Sequence, residues 1–219
     1  MVDAPVLRLN AAVALVGQFP VLSGVDLTVG DGERVLVRGP NGAGKTSLLR
    51  VCAGLVPATS GEVRVLGYDL RADRRSVRPH VGLLAHATGL YDDLTAGDNV
   101  RFWAEACRVA PADSMAAMDR VGLASRLRDV PVGRLSAGQR RRVSLASMIV
   151  RRPRLWLLDE PHAGLDATGR DLVDTLVGDA SAAGATVLFA SHDLDRATEV
   201  ATRIVTIVGG AVADDRAAA

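Results

Sequence analysis

Nine consecutive residues, Gly39-Pro40-Asn41-Gly42-Ala43-Gly44-Lys45-Thr46-Ser47, carry glycines, a lysine and hydroxyls at the spacing G-x-x-x-x-G-K-[ST]. That spacing makes a phosphate-binding loop when a strand runs into it and a helix leaves it. The glycines let the backbone curl until several N–H groups and the positive end of the helix face one anion. Lys45 would then reach the terminal phosphates of a nucleotide, and the Thr46 hydroxyl would hold Mg²⁺. Lys45 is the only lysine in the chain, so every other Lys/Arg cation is an arginine. Such a loop has room for a slim point charge and none for a planar fork.

Three further clusters could act with it. The apolar run Leu155-Trp156-Leu157-Leu158 ends in Asp159-Glu160, delivering two carboxylates where ligands collect in open α/β sheets. Asp159 would hold Mg²⁺, and Glu160 would orient or deprotonate an attacking water. Ala190-Ser191-His192-Asp193 follows another apolar run, which puts His192 at the same sheet edge, able to bond a γ-phosphate. In Leu135-Ser136-Ala137-Gly138-Gln139, Ser136 and Gln139 have the spacing of a capping box, so a helix starts there with N–H donors toward an anion. Each cluster also has a bland reading: an acidic turn, a structural histidine, a plain capped helix. Arg140, Arg141 and Arg142 follow directly, and consecutive positions spread them around a helix instead of along one face.

The elements that must position these residues are legible in outline. Val6 to Leu9 and Val13 to Val16 read as two short strands, Val21 to Val29 as another, and Glu33 to Val37 as the strand entering the loop. Thr46 to Ala53 reads as the helix leaving it, stopped by Gly54 and Pro57. Ser60-Gly61 reads as a turn into a strand from Glu62 to Leu66. The run Asp69 to Arg78, with four arginines, reads as a solvated loop or helix face. Val81 to Leu84 is a buried strand. From Tyr91 to Val150 the texture is helical: Thr95 caps one helix, Pro111 begins another and Gly122 ends it. Parallel-sheet texture returns at Leu155 to Leu158 and Thr186 to Ala190. Ile204 to Val208 and Ala211 to Ala213 read as a terminal hairpin, with a fraying tail from Asp214 to Ala219.

The 219 residues suffice for one large α/β domain, or a core with an inserted subdomain, around a real hydrophobic core. A formal charge of +1 gives no general signal for binding polyanions, so no nucleic-acid partner is expected. Cys52 and Cys107 lie far apart in apolar helical patterns and read as buried free thiols, suited to a reducing cytoplasm. No stretch approaches the roughly 20 apolar residues that span a bilayer, and the N-terminus lacks a secretory pattern.

Together these segments resemble the nucleotide-binding subunit of ATP-binding cassette (ABC) transporters over nearly the whole chain. In that family's terms Gly39 to Ser47 resembles Walker A, Leu135 to Gln139 the signature sequence, Leu155 to Glu160 Walker B, Gly164-Leu165-Asp166 the D-loop and His192 the switch histidine. The resemblance implies a P-loop NTPase (RecA-like) core with an antiparallel β subdomain and an α-helical subdomain inserted at about 90–150, the whole of 1–219 forming one ABC ATPase domain. It implies ATP and Mg²⁺ as cofactors and a head-to-tail dimer, homomeric or heteromeric. Ser136, Ala137, Gly138 and Gln139 of one subunit would close over ATP held by Lys45 of the other, with Asp166 beside them. A polytopic membrane transporter subunit would be the partner, on the inner face of the cell membrane.

Three positions depart from the family pattern. Ala137 replaces the usual glycine of the signature. His86 stands where the Q-loop glutamine is usual, a position that senses Mg²⁺ and the attacking water and touches the membrane partner. The adenine-stacking aromatic falls near Val16, with Phe19 the nearest ring. His86, the Leu94-Thr95 and Asn99-x-x-Phe102-Trp103 pattern and the LSAGQ-x-R-R-V sequence resemble the ATPase subunit of the haem exporter of cytochrome c maturation. A drug or lipid exporter ATPase is an alternative. A soluble ABC ATPase acting on ribosomes or DNA would instead have paired cassettes on a long linker, or cassettes split by a coiled coil, and the sequence has neither.

Overall fold

The computed structural model describes residues 4–85 and 87–218. In chain order the elements are β1 (Leu7–Val16), β2 (Phe19–Val29), β3 (Arg34–Arg38), α1 (Lys45–Cys52), β4 (Ala58–Val65), β5 (Tyr68–Asp69), α2 (Leu70–Asp73) and β6 (Val81–Leu84). There follow α3 (Ala96–Ala106), α4 (Pro111–Arg120), α5 (Ala137–Arg151), β7 (Leu155–Asp159), α6 (Ala167–Ala182), β8 (Thr186–Ala190), α7 (Leu194–Val200), β9 (Arg203–Val208) and β10 (Ala211–Ala217). The chain divides into two compact units, one of residues 1–83, 154–161 and 174–219, the other of 84–153 and 162–173.

The first unit holds two sheets, ordered β2-β1-β4-β5 and β10-β9-β3-β8-β7-β6. In the second sheet β3 pairs in parallel with β8 and β9, and β7 with β8. Every residue of β7 and of β8 is buried, as strands covered on both faces must be, and their unbroken apolar runs follow from that. Register matters for function here. Val37 of β3 and Asp159 of β7 both stand opposite Ala190 of β8, so three parallel strands end level and their following loops share one edge.

The first sheet is antiparallel throughout its pairings. Where the sequence suggests two short strands, β1 is a single ten-residue strand with a register shift between Leu9 and Ala12. Ala11 sits there at φ 45°, a bulge that interrupts the alternation without ending the strand. Gly61 lies opposite, where a Cβ would be 2.2 Å from the Ala11 carbonyl oxygen, so β4 runs straight through Ser60-Gly61 instead of turning. The core of this unit joins β1, β2, β3 and β4 to Leu48, Leu49, Val51 and Cys52 of α1. Leu48 and Leu49 are fully buried, each contributing about 1.5–3 kcal/mol of apolar transfer.

Two segments differ from the sequence reading. The arginine run is not only solvated: Arg78 donates to the Gly54 carbonyl at 2.9 Å and Arg74 to the Leu55 carbonyl at 3.0 Å. Cations thereby satisfy carbonyls just past the C-terminus of α1, where the helix dipole favours them. The tail from Asp214 does not fray through Ala217, because β10 pairs with β9 along that length. Arg203 of β9 anchors it, bonding both carboxylate oxygens of Asp215 at 2.7 and 2.6 Å, Glu33 at 3.0 Å and the Thr28 carbonyl at 2.8 Å. The Asp215 carboxylate beside it raises the Arg203 guanidinium well above its ordinary pKa.

The second unit is helical. Thr95 caps α3 by accepting from Asp98 N at 3.0 Å, Pro111 opens α4, and Ser136 with Gln139 forms the capping box of α5. Asn99, 2% exposed, accepts from Tyr91 N at 2.9 Å and donates to the Thr95 carbonyl at 2.9 Å, folding the segment before α3 onto the helix. Cys52 is buried, but Cys107 at the end of α3 is exposed, so only one of the two thiols expected in a core is there. No helix among the described residues is long and apolar enough to cross a membrane.

Candidate active site

The level strand ends of the first unit bring four sequence-predicted groups to one edge. β3 delivers Gly39 to Ser47, β7 delivers Asp159 and Glu160, and β8 delivers His192. α1 begins at Lys45 with Gly44 as its N-cap at φ 109°, no side-chain cap and no acidic residue in its first turn. Its first N–H groups are therefore left for an anion. Of the loop, Pro40, Asn41 and Gly42 are exposed, Ala43 is buried, and Gly44, Thr46 and Ser47 are half-buried.

Lys45 is 8% exposed and its Nζ donates to the Gly39 carbonyl at 2.7 Å and the Pro40 carbonyl at 3.0 Å. The ammonium thus lies inside the curl of its own loop, satisfied by backbone oxygens. Thr46 Oγ1 lies 2.9 and 3.1 Å from the two carboxylate oxygens of Asp159. One hydroxyl and one carboxylate are hard oxygen donors of the kind Mg²⁺ accepts when phosphates and water fill its remaining positions. These two residues fit that ion.

Glu160 sits at φ 50°, a left-handed conformation that costs a non-glycine residue roughly 1–2 kcal/mol. Its N–H donates to the Ala190 carbonyl at 2.9 Å, tying the strained residue to the end of β8. One carboxylate oxygen accepts from His192 N at 3.0 Å, and the other lies 3.4 Å from His192 Nε2. The imidazole is mostly exposed, the carboxylate partly buried. A carboxylate held by a backbone donor beside a solvent-facing imidazole suits a base acting on water next to a group that can turn toward an anion.

Ser136, Ala137, Gly138, Gln139 and Asp166 belong to the second unit. Ser136 Oγ accepts from Gln139 N at 3.2 Å while Gln139 Oε1 accepts from Ser136 N at 2.9 Å. A Cβ on Gly138 would lie 3.0 Å from the Gly164 carbonyl oxygen, so the start of α5 packs directly on the loop carrying Asp166. Asp166 itself caps the start of α6, accepting from Gly169 N at 2.8 Å, and pairs with Arg142 at 3.7 Å. Phe19 opens β2 opposite Val16 and is 78% exposed, a free ring on the first unit. His86 lies outside the described residues.

The three arginines after Gln139 do spread around α5, and each has a distinct backbone target. Arg140 donates to the Gly133 carbonyl at 2.9 Å, Arg141 to Ala85 at 2.7 Å and Arg142 to Val121 at 2.7 Å. Arg141 is 4% exposed, and Ser144, one turn on, donates to the Thr88 carbonyl at 3.2 Å. Helix α5 therefore holds backbone carbonyls on both sides of position 86. The sequence held only one hint of this, a run of three arginines at the start of a helix whose later turns are mostly apolar.

The family model for "ABC transporter" matches residues 22–163. The chain is 44% identical to the cytochrome c biogenesis ATP-binding export protein CcmA of Bordetella bronchiseptica over 187 residues, 84% of this chain and 83% of that one. To CcmA of Aromatoleum aromaticum it is 40% identical over 196 residues, 87% of this chain and 90% of that one. Among solved structures, an ATP-binding cassette in a dimeric post-hydrolysis state bound to ADP and Pi superimposes with a TM-score of 0.86 at 24% identity, covering 97% of this chain and 99% of that one. An ATP-binding subunit of an ABC transporter gives 0.89 at 24% identity, over 97% and 90%. With a family model spanning most of the chain and close relatives along nearly its whole length, this protein belongs to the ABC transporter family.

Proposed function

We propose that this chain is the ATP-binding, ATP-hydrolysing subunit of an exporter serving cytochrome c biogenesis, a reading supported by its similarity to CcmA proteins, which are named as cytochrome c biogenesis ATP-binding export proteins. The observation that carries the catalytic part is the meeting of Lys45, the Thr46–Asp159 pair and the Glu160–His192 pair at the shared edge of β3, β7 and β8. In this reading Gly39 to Ser47 wrap the phosphates, with Lys45 exchanging the Gly39 and Pro40 carbonyls for phosphate oxygens. Thr46 and Asp159 hold Mg²⁺, which when bound neutralises phosphate charge. Glu160 orients the attacking water and accepts its proton, and His192 bonds the γ-phosphate.

The chain carries half of such a site. A second copy or a related subunit supplies Ser136, Ala137, Gly138 and Gln139 as the lid, with Asp166 at the junction, and Phe19 stacks on adenine. The single domain 1–219, with its helical part at about 90–150, docks as a peripheral subunit on a polytopic membrane protein. Exposed Tyr91, Leu94 and Phe102 on the helical unit, with Tyr91 and Phe102 edge-to-face at 5.6 Å, supply apolar area for that contact. His86 acts between the site and that partner. The haem-exporter assignment is favoured over a drug or lipid exporter by the CcmA relatives.

The test has two arms. The purified chain hydrolyses MgATP and Glu160→Gln loses about a hundredfold or more of turnover while still binding nucleotide; unchanged turnover would remove Glu160 from the chemistry. Affinity capture from membranes recovers a polytopic membrane protein, whereas recovery of ribosomes or DNA would overturn the transport assignment.

A further inference from the structure

The phosphate loop is gripped from outside by a turn that no chemical motif includes. Gly210, in the Gly209-Gly210 connection between β9 and β10, donates its N–H to the Ala43 carbonyl at 2.9 Å. Its own carbonyl accepts from Ser23 N of β2 at 2.8 Å. The same two elements press on the loop glycines: a Cβ on Gly39 would lie 2.1 Å from the Ile207 carbonyl oxygen, and one on Gly44 2.6 Å from the Val21 carbonyl oxygen and 3.5 Å from Gly210 Cα.

The bond to Ala43 has a directional consequence. In a trans peptide the C=O of one residue and the N–H of the next point in opposite directions from one plane. Holding the Ala43 carbonyl toward Gly210 therefore aims the Gly44 N–H the other way, into the curl where Lys45 lies. Ala43 is 4% exposed, so water is a poor substitute for the turn as donor to its carbonyl.

We propose that Gly210 is a positioning residue of the nucleotide site: it fixes the plane of the Ala43–Gly44 peptide and so presents the Gly44 N–H to the bound phosphate. This rests on the reading of Gly39 to Ser47 as the nucleotide loop. Only glycine serves at 210. The residue has φ 80°, and a Cβ there would stand 3.1 Å from both N and Oγ of Ser23 and 3.2 Å from Leu22 Cα. Gly209 is the internal control: it also has positive φ, at 57°, but a Cβ on it meets nothing within 4 Å.

The experiment compares Gly210→Ala, Gly209→Ala and Lys45→Met in the full chain, measuring MgATP affinity by calorimetry, the kcat and KM of hydrolysis, and thermal stability. Both glycine variants strain the same turn through their positive φ, and Gly210→Ala, which also crowds Ser23 and Leu22, lowers the melting temperature further than Gly209→Ala. Gly210→Ala alone weakens MgATP binding, by about tenfold or more, with KM rising more than kcat falls, while Gly209→Ala stays within about twofold of the wild type. Equal affinities in the two glycine variants, whether both weakened or both intact, would overturn the proposal. If Lys45→Met itself binds MgATP like the wild type, the nucleotide reading fails first; if Lys45→Met loses binding and Gly210→Ala does not, only the positioning role fails. Should Gly210→Ala not fold, amide exchange in the wild-type chain decides: exchange at Gly210 N–H slows by about tenfold on saturation with MgADP, and an unchanged rate overturns the proposal.

Discussion

Replacing Lys45 separates charge from shape at the centre of the proposed nucleotide loop. Its ammonium is 8% exposed and spans the Gly39 and Pro40 carbonyls at 2.7 and 3.0 Å. Hydrogen bonds from charged donors contribute roughly 1.5–3 kcal/mol each, and relief of the buried ammonium's desolvation offsets part of that. Lys45→Met therefore destabilises the free protein by about 1–3 kcal/mol, at about 2–4 °C of melting temperature per kcal/mol. It lowers MgATP affinity by about a hundredfold or more, since the phosphates lose their nearest cation as well. Lys45→Arg keeps the charge but must fit a planar fork with five donors between two carbonyls that a single nitrogen now bridges. The expected result is a loss of affinity of the same order as for Met, read by titration calorimetry with thermal melts alongside. If Lys45→Arg bound MgATP within about threefold of the wild type, shape would be irrelevant, and the argument from the chain's only lysine would be refuted.

Two other perturbations probe different parts of the molecule. Gly138→Ala puts a methyl 3.0 Å from the Gly164 carbonyl oxygen and 3.7 Å from Leu165; overpacking of this kind costs about 1–3 kcal/mol, and steady-state ATPase falls while calorimetry shows MgATP affinity near the wild-type value. Cys52 is wholly buried and its thiol is pushed up to about 12 by that burial, whereas Cys107 is exposed. A thiol reagent at pH 8 accordingly modifies one cysteine in the native protein and two after denaturation, as mass spectrometry of the labelled peptides would report. Because unfolding frees Cys52 to ionise near pH 9, stability from this group is complete below that pH and declines as pH rises from there toward 12.

The candidate site was legible in the sequence because its groups lie on consecutive residues. Gly39 to Ser47 and Asp159-Glu160 carry their spacing in one line of text, and the apolar runs of β7 and β8 announce strands buried on both faces. Ser136 and Gln139 likewise declare a helix start through a local, reciprocal bond. What was illegible depends on distant partners. Nothing near Ala11 signals a left-handed residue inside β1, because the bulge is set by Gly61 on a neighbouring strand. Arg74 and Arg78 looked like a solvated run because the carbonyls they cap belong to the end of α1. Polar Asp214 and Asp215 looked like a loose tail because their cationic partners stand on other strands, Arg38 of β3 for Asp214 and Arg203 of β9 for Asp215. The left-handed backbone of Glu160 and its link to His192 likewise need β7 and β8 side by side.

That the chain holds half of a nucleotide site, completed by a second copy's Ser136 and Gly138, is tested most directly by sedimentation velocity of the Glu160→Gln protein with and without MgATP. The expected result is a monomer without nucleotide and a dimer with it, the dimer being lost when Ser136→Arg is added although each monomer still binds ATP. A Glu160→Gln chain that binds MgATP and stays monomeric, or a dimer indifferent to Ser136→Arg, would contradict it.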